Sequence, residues 1–494
     1  MSDSLDAALD DPTSVAEASA ETAVESENKS GSKSRFDRRL VEGSILQAVW
    51  IIAWPTMLQN LIAGLQGLVD HVMVGHHVGH TGNAAIGVSW QIFIVVIVFI
   101  ASVFSGMGVL VARFAGADRP DKVARVVYQV FALTIVLGLF VFAPLGLVAA
   151  PSLLNFVNAE AAVQGEALPY LRIMFAGSFV TMLFFMLSGA LRAAGDAKTP
   201  LRMGLVLTVM NISFNVVLIA GLGPIPALGT RGAALGTVLA NALVASYAAW
   251  RLFRGGWIID LRPEVTWKPD LDVLRRVFSF GLPTGFQGMA MNLGGVILMR
   301  YVGSLEHSAE AQAAYAVGYT QLFSFASWTA MAMMSSASTI VGQSLGAEKP
   351  DRAVAAPWAA TRVGLCVAIW LALAFVLVPE ILLRAFGMED PLVLGLGRQL
   401  LGFLALSTLF LTTALSYTGA LQGTGDTRSP MYISILSQLI LPIGLCAALD
   451  AFGTLQPIEI WSAIVLGHFL RALLSILRFQ QGKWRSIRVE LGEG

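Results

Sequence analysis

The chain has 494 residues, of which 56% are hydrophobic and only 13% charged, and its formal net charge at pH 7 is zero. Soluble domains carry roughly 25% charged residues, so this composition excludes a water-soluble globular fold. Apolar runs of roughly 20 residues, the length that a helix needs to cross about 30 Å of hydrocarbon, recur along the chain. Because these runs are continuous rather than alternating, they predict transmembrane helices rather than barrel strands.

The first 43 residues precede every apolar run. They are rich in Ser, Ala, Asp and Glu and poor in large apolar side chains, so burial cannot offset the entropy of ordering them. They also lack the apolar core, preceded by basic residues, that marks a signal peptide. Residues 1–43 are therefore predicted to form a disordered tail, whose basic residues next to the first span anchor it.

Twelve apolar runs follow the tail, and each predicts a transmembrane helix. They cover residues 46–72, 86–111, 126–149, 170–190, 202–222, 232–252, 280–300, 314–340, 362–380, 399–420, 431–449 and 458–477. The first six spans form a predicted N-lobe of residues 44–252, and the last six form a predicted C-lobe of residues 279–480. Residues 253–278 are the predicted linker between the lobes, and residues 481–494 are a C-terminal tail. Within the linker, Leu271 to Val277 predicts either a short interfacial helix or an amphipathic tether.

Basic residues are distributed unevenly between the two sides of the membrane. With the N-terminus placed in the cytoplasm, all but five of the 32 Lys and Arg fall on the cytoplasmic side. The five on the opposite side are Arg172, Arg231, Arg300, Arg384 and Arg398. Cytoplasmic loops of membrane proteins carry an excess of Lys and Arg. The asymmetry therefore predicts a multi-pass protein of the cell membrane with both termini in the cytoplasm.

The two halves of the chain contain an internal repeat. Ser188 to Pro200 reads SGALRAAGDAKTP and Thr418 to Pro430 reads TGALQGTGDTRSP, with six identities in thirteen positions. At the same offset of 230 residues, GADRPD from Gly116 matches GAEKPD from Gly346. The offset covers six spans, an even number, so both halves enter the membrane in the same orientation. The sequence therefore predicts parallel repeats related by a pseudo-two-fold axis along the membrane normal.

Each repeated loop predicts a tight hairpin between two membrane helices. Gly195 stands where a helix end favours a residue with positive φ, and Thr199, followed by proline, is predicted to cap the next helix. Asp196 lies inside the hairpin, where a structural role is predicted, with a role in gating as the alternative. The second loop repeats this pattern with Gly425, Ser429 and Asp426.

The spans contain no pattern of side chains that would support catalysis or hold a metal. Cys366 and Cys446 lie inside predicted spans, where free thiols act as small apolar fillers. Four histidines near the outer end of the first span lack the paired ligand spacing of a zinc site, so they are predicted to be interfacial. No paired acids and no nucleophile with its base occur in the spans. No enzymatic activity, cofactor, resident metal or nucleic-acid partner is therefore expected.

One carboxylate, Asp70, lies well inside an apolar run. A charged Asp in the bilayer costs at least about 2.5 kcal/mol, so an acid retained there is a functional candidate. Burial disfavours the charged form, which would let this carboxyl group take up a proton on one side of the membrane and release it on the other. The alternative is an acid that only hydrogen-bonds between helices.

The repeated loops, the twelve-span layout and the opening Trp54-Pro55-x(14)-Asp70-x(4)-Gly75 of the first span resemble the multidrug and toxic compound extrusion (MATE) family. The likeness covers residues 44 to 480. It implies two six-helix lobes that form a V around a central cavity and alternate in access. It also implies expulsion of small organic compounds, amphipathic and often cationic, coupled to the entry of H+ or Na+.

The resemblance also implies a site for the coupling cation. Asp70 falls on the family's acid in the first span, and Asn211 and Asn215 fall on paired polar positions of the fifth span. Thr237 matches a polar position of the sixth span. These four residues would form a cation-coupling site in the N-lobe.

The C-lobe lacks the equivalent acids. In the branch of the family that couples through the C-lobe, acids stand on the seventh and tenth spans. This sequence has Met291 and Leu411 at those positions. Coupling through the C-lobe is therefore not expected.

Several further residues are candidates for lining the substrate cavity. Methionine suits a plastic, promiscuous surface, and polar side chains within spans suit a hydrated one. Lipid-facing packing and interhelical hydrogen bonds explain the same residues equally well. The candidates are Gln66, Gln287, Asn292, Met331 and Met334.

The alternative function is a flippase for a lipid-linked or amphipathic precursor. A phosphate headgroup would need bidentate arginines in the cavity, and few arginines lie within the predicted spans. A receptor or channel fits the hydropathy, but a two-fold repeat with one buried acid suits alternating access better. A monomer is expected.

Overall fold

The computed structural model of the protein describes residues 35–157, 159–261, 268–453, 455–487 and 489, and helices account for most of them. Residues 1–34 of the predicted tail and residues 262–267 of the predicted linker lie outside these ranges. The long helices, in chain order, are α1 (Ile45–His77), α2 (His80–Gly116), α3 (Pro120–Phe156), α4 (Ala161–Ala176 and Ser178–Ala193), α5 (Lys198–Ala220), α6 (Thr230–Phe253), α7 (Leu271–Gly303), α8 (Ser308–Tyr315, Ala316–Leu322 and Phe323–Gly346), α9 (Pro350–Leu377), α10 (Pro391–Thr424), α11 (Arg428–Ala451) and α12 (Pro457–Gln480). Short helices at Arg39–Glu42 and Pro379–Ala385 precede α1 and follow α9.

The twelve predicted spans correspond in order to α1 through α12. Among the described residues, eight of these helices are long and apolar enough to cross a membrane, and the bent α4 makes a ninth if its halves are counted together. The two halves of α4 meet at Gly177 at an angle of 53°. Three helices contain π-helical turns: α3 at Leu137–Phe142, α8 at Ala316–Leu322 and α11 at Ile435–Ile440.

Proline and aspartate set where several helices begin. Pro120, Pro350, Pro391 and Pro457 open α3, α9, α10 and α12, where the missing N–H of proline breaks no hydrogen bond. Asp390 accepts hydrogen bonds from two backbone N–H groups in the first turn of α10. Such a cap satisfies donors that a helix start leaves free.

The repeated hairpins have the predicted glycine conformation but not the predicted helix cap. Gly195 and Gly425 adopt φ values of +105° and +95°, as predicted. The predicted cap was wrong, because α5 begins at Lys198 and Thr199 already lies in its first turn. Asp196 does the capping instead, by accepting a 2.9 Å hydrogen bond from the Thr199 N–H.

The beginning of α7 also differs from the prediction. Leu271 to Val277 form neither a separate interfacial helix nor a tether, because they are the first turns of a continuous helix that runs to Gly303. Asp270 caps this helix through the N–H groups of Asp272 and Val273. Asp270 also pairs with Arg125 of α3, so the start of α7 is held against the N-lobe.

The two lobes, α1–α6 and α7–α12, meet along α1, α2, α7 and α8. The contact between α2 and α8 is reciprocal. A Cβ on Gly116 would lie 2.0 Å from the carbonyl oxygen of Gln343, and a Cβ on Gly346 would lie 1.9 Å from that of Arg113. Each residue of one pair stands 230 positions from its counterpart in the other. This is the pattern of a two-fold axis between parallel repeats, as the internal repeat predicts.

Residues 35–44, residues 481–487 and the α2–α3, α4–α5, α8–α9 and α10–α11 loops lie at one end of the bundle, here called the basic end. Arg352 of α9 donates to the carbonyl oxygens of Leu40 and Gly43, at 3.0 and 2.6 Å. Arg478 near the end of α12 binds Asp426 of the α10–α11 loop at 2.8 Å. The reciprocal glycine contacts lie at this end as well, so the lobes are closed against each other there.

A glycine in α10 tests how tightly the C-lobe packs. A Cβ on Gly419 would lie 2.0 Å from the carbonyl oxygen of Met334 in α8, so Gly419→Ala should lower the free energy of unfolding by about 1–3 kcal/mol. The repeat equivalent is Gly189 in α4, where a Cβ would meet only the end of the Met107 side chain at 3.9 Å. Gly189→Ala is therefore the matched control and should be neutral or slightly stabilising. The measurement is the fraction of detergent-purified protein that stays monodisperse after heating, and equal heat tolerance of both variants would contradict this packing.

Candidate functional site

Asp70 lies in α1, about 10 Å along the helix from its end at His77. Its carboxyl oxygen Oδ1 accepts a 2.7 Å hydrogen bond from Nδ2 of Asn215 in α5. Asn215 is completely buried, so the bond ties α1 to α5 inside the N-lobe. A carboxylate within a span is thereby held by an amide donor rather than left to lipid.

The hydrogen-bond network continues from α5 to α6. Nδ2 of Asn215 also approaches Oδ1 of Asn211 at 3.3 Å, and Nδ2 of Asn211 donates to Oγ1 of Thr237 at 3.0 Å. Asn211 and Asn215 are four residues apart, so they share one face of α5. The structure brings all four residues of the predicted cation site, including Asp70, into one continuous network.

Small residues make room for this network. Oδ1 of Asn215 points at Gly236 of α6, where a Cβ would lie only 2.2 Å away. Any larger residue at position 236 would displace the Asn215 side chain. Thr237 follows directly, so one turn of α6 supplies both the space and the last hydroxyl of the network.

Two further residues lie next to the site, and sequence reasoning missed one of them, Tyr170. Tyr170 of α4 is buried and near enough to Asp70 for an electrostatic interaction. His71 hydrogen-bonds through Nδ1 to Oδ1 of Asn83 in α2, which fixes α1 next to α2 one residue beyond Asp70. His71 has a signal in the sequence, because it follows Asp70 directly and could share the proton network of that acid. Tyr170 has no such signal, because its position depends on how α4 packs against α1.

The four network residues offer carboxyl, amide and hydroxyl groups to a cation. A carboxyl group can carry a proton, and oxygens from the same side chains are the ligands that hard cations prefer. Among the described residues, no group of three His, Cys, Asp or Glu side chains could hold a metal ion. The four histidines of the first span and the start of α2 form no such group either.

The predicted cavity residues share no hydrogen bond with one another among the described residues, and their role stays a prediction. Gln287 is buried in the C-lobe, where it donates to Oγ of Ser434 at 2.9 Å. Asn292 is exposed and bonds the backbone of its own helix, and Met331 is 48% exposed. Gln66 accepts a 2.8 Å hydrogen bond from Oγ1 of Thr208 in α5. Met334 packs against the apolar core of the C-lobe.

Met291 and Leu411 do meet in space. Both line a small cavity of about 80 Å³ inside the C-lobe. These two apolar side chains occupy the positions where the resemblance would place acids for C-lobe coupling. Among the described residues, these two positions of the C-lobe therefore offer no carboxyl group comparable to that of Asp70.

Helix α1 connects the Asp70 site to the C-lobe. Nδ2 of Asn60 in α1 donates to the carbonyl oxygen of Trp328 in α8 at 3.1 Å. The Trp328 ring lies directly over Gly64 of α1, where a Cβ would be 2.1 Å from the ring. The same helix therefore carries Asp70 and the packing contact with the C-lobe.

Twelve helices in two parallel six-helix lobes, with a partly buried carboxyl group within a span of one lobe, define the class of a multi-pass membrane transporter rather than an enzyme. The sequence model of the MatE family matches residues 55–217 and 283–447, one segment in each lobe. The chain belongs to this family, the multidrug and toxic compound extrusion family that its repeated loops resemble.

Individual relatives extend over nearly the whole chain. The chain is 26% identical over 439 residues to the probable multidrug resistance protein NorM of Thermotoga maritima, a match that covers 88% of this chain and 92% of that protein. It is 25% identical over 438 residues to the multidrug resistance protein MdtK of Pectobacterium atrosepticum, with 87% and 94% covered.

Solved structures confirm the fold. A MOP superfamily transporter from Pyrococcus furiosus, described as having a binding pocket of reverse polarity, superposes with a TM-score of 0.83 at 20% identity. That match covers 92% of this chain and 99% of the other. An outward-facing multidrug resistance MATE transporter superposes with a TM-score of 0.82 at 20% identity, with 91% and 98% covered.

The space at Gly236 gives a test of the network that removes none of its polar groups. Gly236→Ala should push Asn215 away from Asp70 and lower export of a cationic dye such as ethidium from energised vesicles, by at least about fivefold. Gly165→Ala in α4 is the control, because a Cβ there meets no atom within 4 Å. Export by folded Gly236→Ala protein at the wild-type rate would show that the bond from Asn215 to Asp70 is not needed.

Proposed function

We propose that this protein is a secondary active antiporter that exports organic compounds, amphipathic or cationic, from the cytoplasm in exchange for H+ or Na+. The observation that carries the proposal is the network from Asp70 through Asn215 and Asn211 to Thr237. The relatives named as multidrug resistance proteins support the class of substrate. Family membership supports transport as the activity.

The proposed coupling step is a change of charge on Asp70. In the deprotonated state the carboxylate holds Asn215, so α1 is drawn to α5. Protonation, or binding of a sodium ion to the carboxylate, weakens that attraction because the acceptor loses its negative charge. α1 is then free to move, and it takes with it the surface that packs on Trp328 of the C-lobe.

The amide geometry favours a proton as the coupling ion. Asn215 presents its N–H to Asp70, and Asn211 presents its N–H to Thr237. A sodium site would require the amide and hydroxyl oxygens to converge on one point together with the carboxylate. Vesicles energised with a proton gradient alone and then with a sodium gradient alone separate the two ions.

The way the lobes meet supports the proposal of alternating access. The contacts at the basic end close the lobes there, and we place that end in the cytoplasm because the Lys and Arg concentrate in its loops. This state would then open toward the outside, where it releases substrate and admits the coupling cation.

A flippase is favoured less, because the N-lobe site presents a carboxyl group where a phosphate headgroup would need arginines. A monomeric assembly and the lobe boundaries stay predictions.

The decisive variant is Asp70→Asn. It keeps the size and hydrogen-bonding capacity of the side chain but cannot be charged, so uphill export should fall below about one tenth of the wild-type rate while the protein still folds. The measurement is dye export from proteoliposomes with an imposed gradient. Asp196→Asn is the control. Asp196 closes the α4–α5 hairpin, so export should tolerate this substitution. Wild-type uphill export by purified Asp70→Asn would place the coupling site elsewhere.

Orientation has its own test. Lys198 and Arg428 are exposed at the basic end, so Lys198→Cys and Arg428→Cys, in a background without Cys366 and Cys446, should react in intact cells only with membrane-permeant thiol reagents. Arg231→Cys at the opposite end is the matched control and should react with an impermeant reagent. The reverse labelling pattern would place both termini outside.

A further inference from the structure

The buried face of α12 carries polar groups that lack partners. Arg471 is 1% exposed, and its Nε and Nη1 atoms have no hydrogen-bond partner among the described residues. His468, one turn earlier on the same face, is 3% exposed, and neither ring nitrogen has a partner within the described part of the chain. Buried polar groups are nearly always paired, so this pair requires an explanation.

A cavity lies beside these groups. His468 lines the 80 Å³ cavity of the C-lobe together with Tyr319 of α8 and Gln438 of α11. Arg471 is near enough to both His468 and Tyr319 for an electrostatic interaction. We call Arg471, His468 and Tyr319 the α12 cluster.

The helices around the cavity are locally widened. Tyr319 lies in the π-helical turn Ala316–Leu322 of α8, and Gln438 lies in the π-helical turn Ile435–Ile440 of α11. π-helical turns within longer helices occur frequently at functional sites. Two of them flank this one cavity.

The unpaired groups in this region are mostly donors. Nε1 of Trp461 and the hydroxyl of Tyr315 are buried without partners among the described residues. Tyr315 stacks on the cavity-lining Tyr319 at 4.9 Å, and Trp461 stacks on the other side of this pair, on Tyr315, at 6.0 Å. A guanidinium and an indole N–H can only donate. The missing partner is therefore an acceptor.

The charge of the region also indicates that an acceptor is missing. A guanidinium stays protonated in proteins, and a buried charge without a counter-ion is strongly unfavourable. The ion pairs formed by the described C-lobe residues lie near helix ends and do not include Arg471. Met291 and Leu411 on the other walls of the cavity are apolar. Within the described part of the C-lobe, Arg471 thus carries a positive charge that no acidic side chain compensates.

We propose that the α12 cluster binds a small monovalent anion, of the size of chloride, inside the C-lobe. The anion accepts hydrogen bonds from Arg471, His468 and the Tyr319 hydroxyl and neutralises the guanidinium. A cavity of about 80 Å³ has room for such an ion with one or two waters, since a water takes about 30 Å³ of liquid volume. Pockets for organic ligands are far larger, roughly 300–1,000 Å³. The site is separate from the cation site of Asp70 and does not depend on it.

Binding of radioactive chloride to the purified full-length protein in lipid nanodiscs tests the proposal, with gluconate as the background anion. Wild-type protein should bind one saturable chloride per chain. Arg471→Met should weaken binding by at least about 30-fold, because it removes the charge and two donors. His468→Phe should weaken it by a smaller factor. Arg398→Gln, which removes an exposed arginine of α10, is the control and should bind as the wild type does.

The unfolding temperature gives a second measurement, which is informative even for a variant that binds chloride weakly. Chloride should raise the unfolding temperature of wild-type protein, since a ligand that binds only the folded state stabilises it. The unfolding temperature of Arg471→Met should not respond to chloride. In gluconate alone the variant should be at least as stable as wild type, because an apolar side chain of similar volume replaces an uncompensated charge.

Three results would overturn the proposal. The first is wild-type protein that binds no chloride and shows no chloride-dependent stability. The second is chloride binding that survives in Arg471→Met. The third is sulfate competing as well as bromide, because a divalent anion of that size points to a surface site rather than to this cavity.

Discussion

The hydrogen bond between Asn215 and Asp70 is the constraint on which the N-lobe depends. A carboxylate inside a bilayer costs about 2.5–3.5 kcal/mol on the insertion scale, so α1 needs a donor at that depth. The donor comes from α5, whose neighbour α6 must offer a glycine at position 236 to make room for it. One partly buried acid thus constrains the relative position of three helices, and the proposed coupling step acts on the same acid.

α1 also joins this site to the interface between the lobes. The cross-lobe hydrogen bonds near it run from side chains to backbone oxygens: Asn60 to Trp328, and Ser336 to Val49. Each such bond contributes only about 0.5–1.5 kcal/mol net. The reciprocal contacts of Gly116 and Gly346 add close packing without hydrogen bonds. Parting the lobes at the basic end therefore costs little per contact, which suits the proposed alternation between two states.

The repeat produces two lobes of the same fold whose interiors carry side chains of opposite charge. The N-lobe holds a partly buried carboxyl group at Asp70, whereas the C-lobe buries a guanidinium at Arg471 and has the apolar Met291 and Leu411 in its cavity. Helix packing depends on volume and small residues, and the two halves share the glycines of their repeated loops. Charge depends on single side chains, and these differ between the halves. The proposed binding of a cation in one lobe and of an anion in the other therefore requires no difference between the backbones of the two lobes.

The sequence by itself determined the helical membrane fold, the order of its twelve spans and the parallel repeat, because apolar run length and the repeated loops are local properties of the chain. It also singled out Asp70, since one acid in an apolar run is visible without coordinates, and the resemblance named its three partners. Only the tertiary structure decided that these four side chains form one network, that Gly236 makes room for it and that Asp196 rather than Thr199 caps α5. It alone revealed the unpaired Arg471 as well. An arginine near the end of an apolar run looks like an interfacial anchor in sequence, and its burial depends on helices distant in the chain.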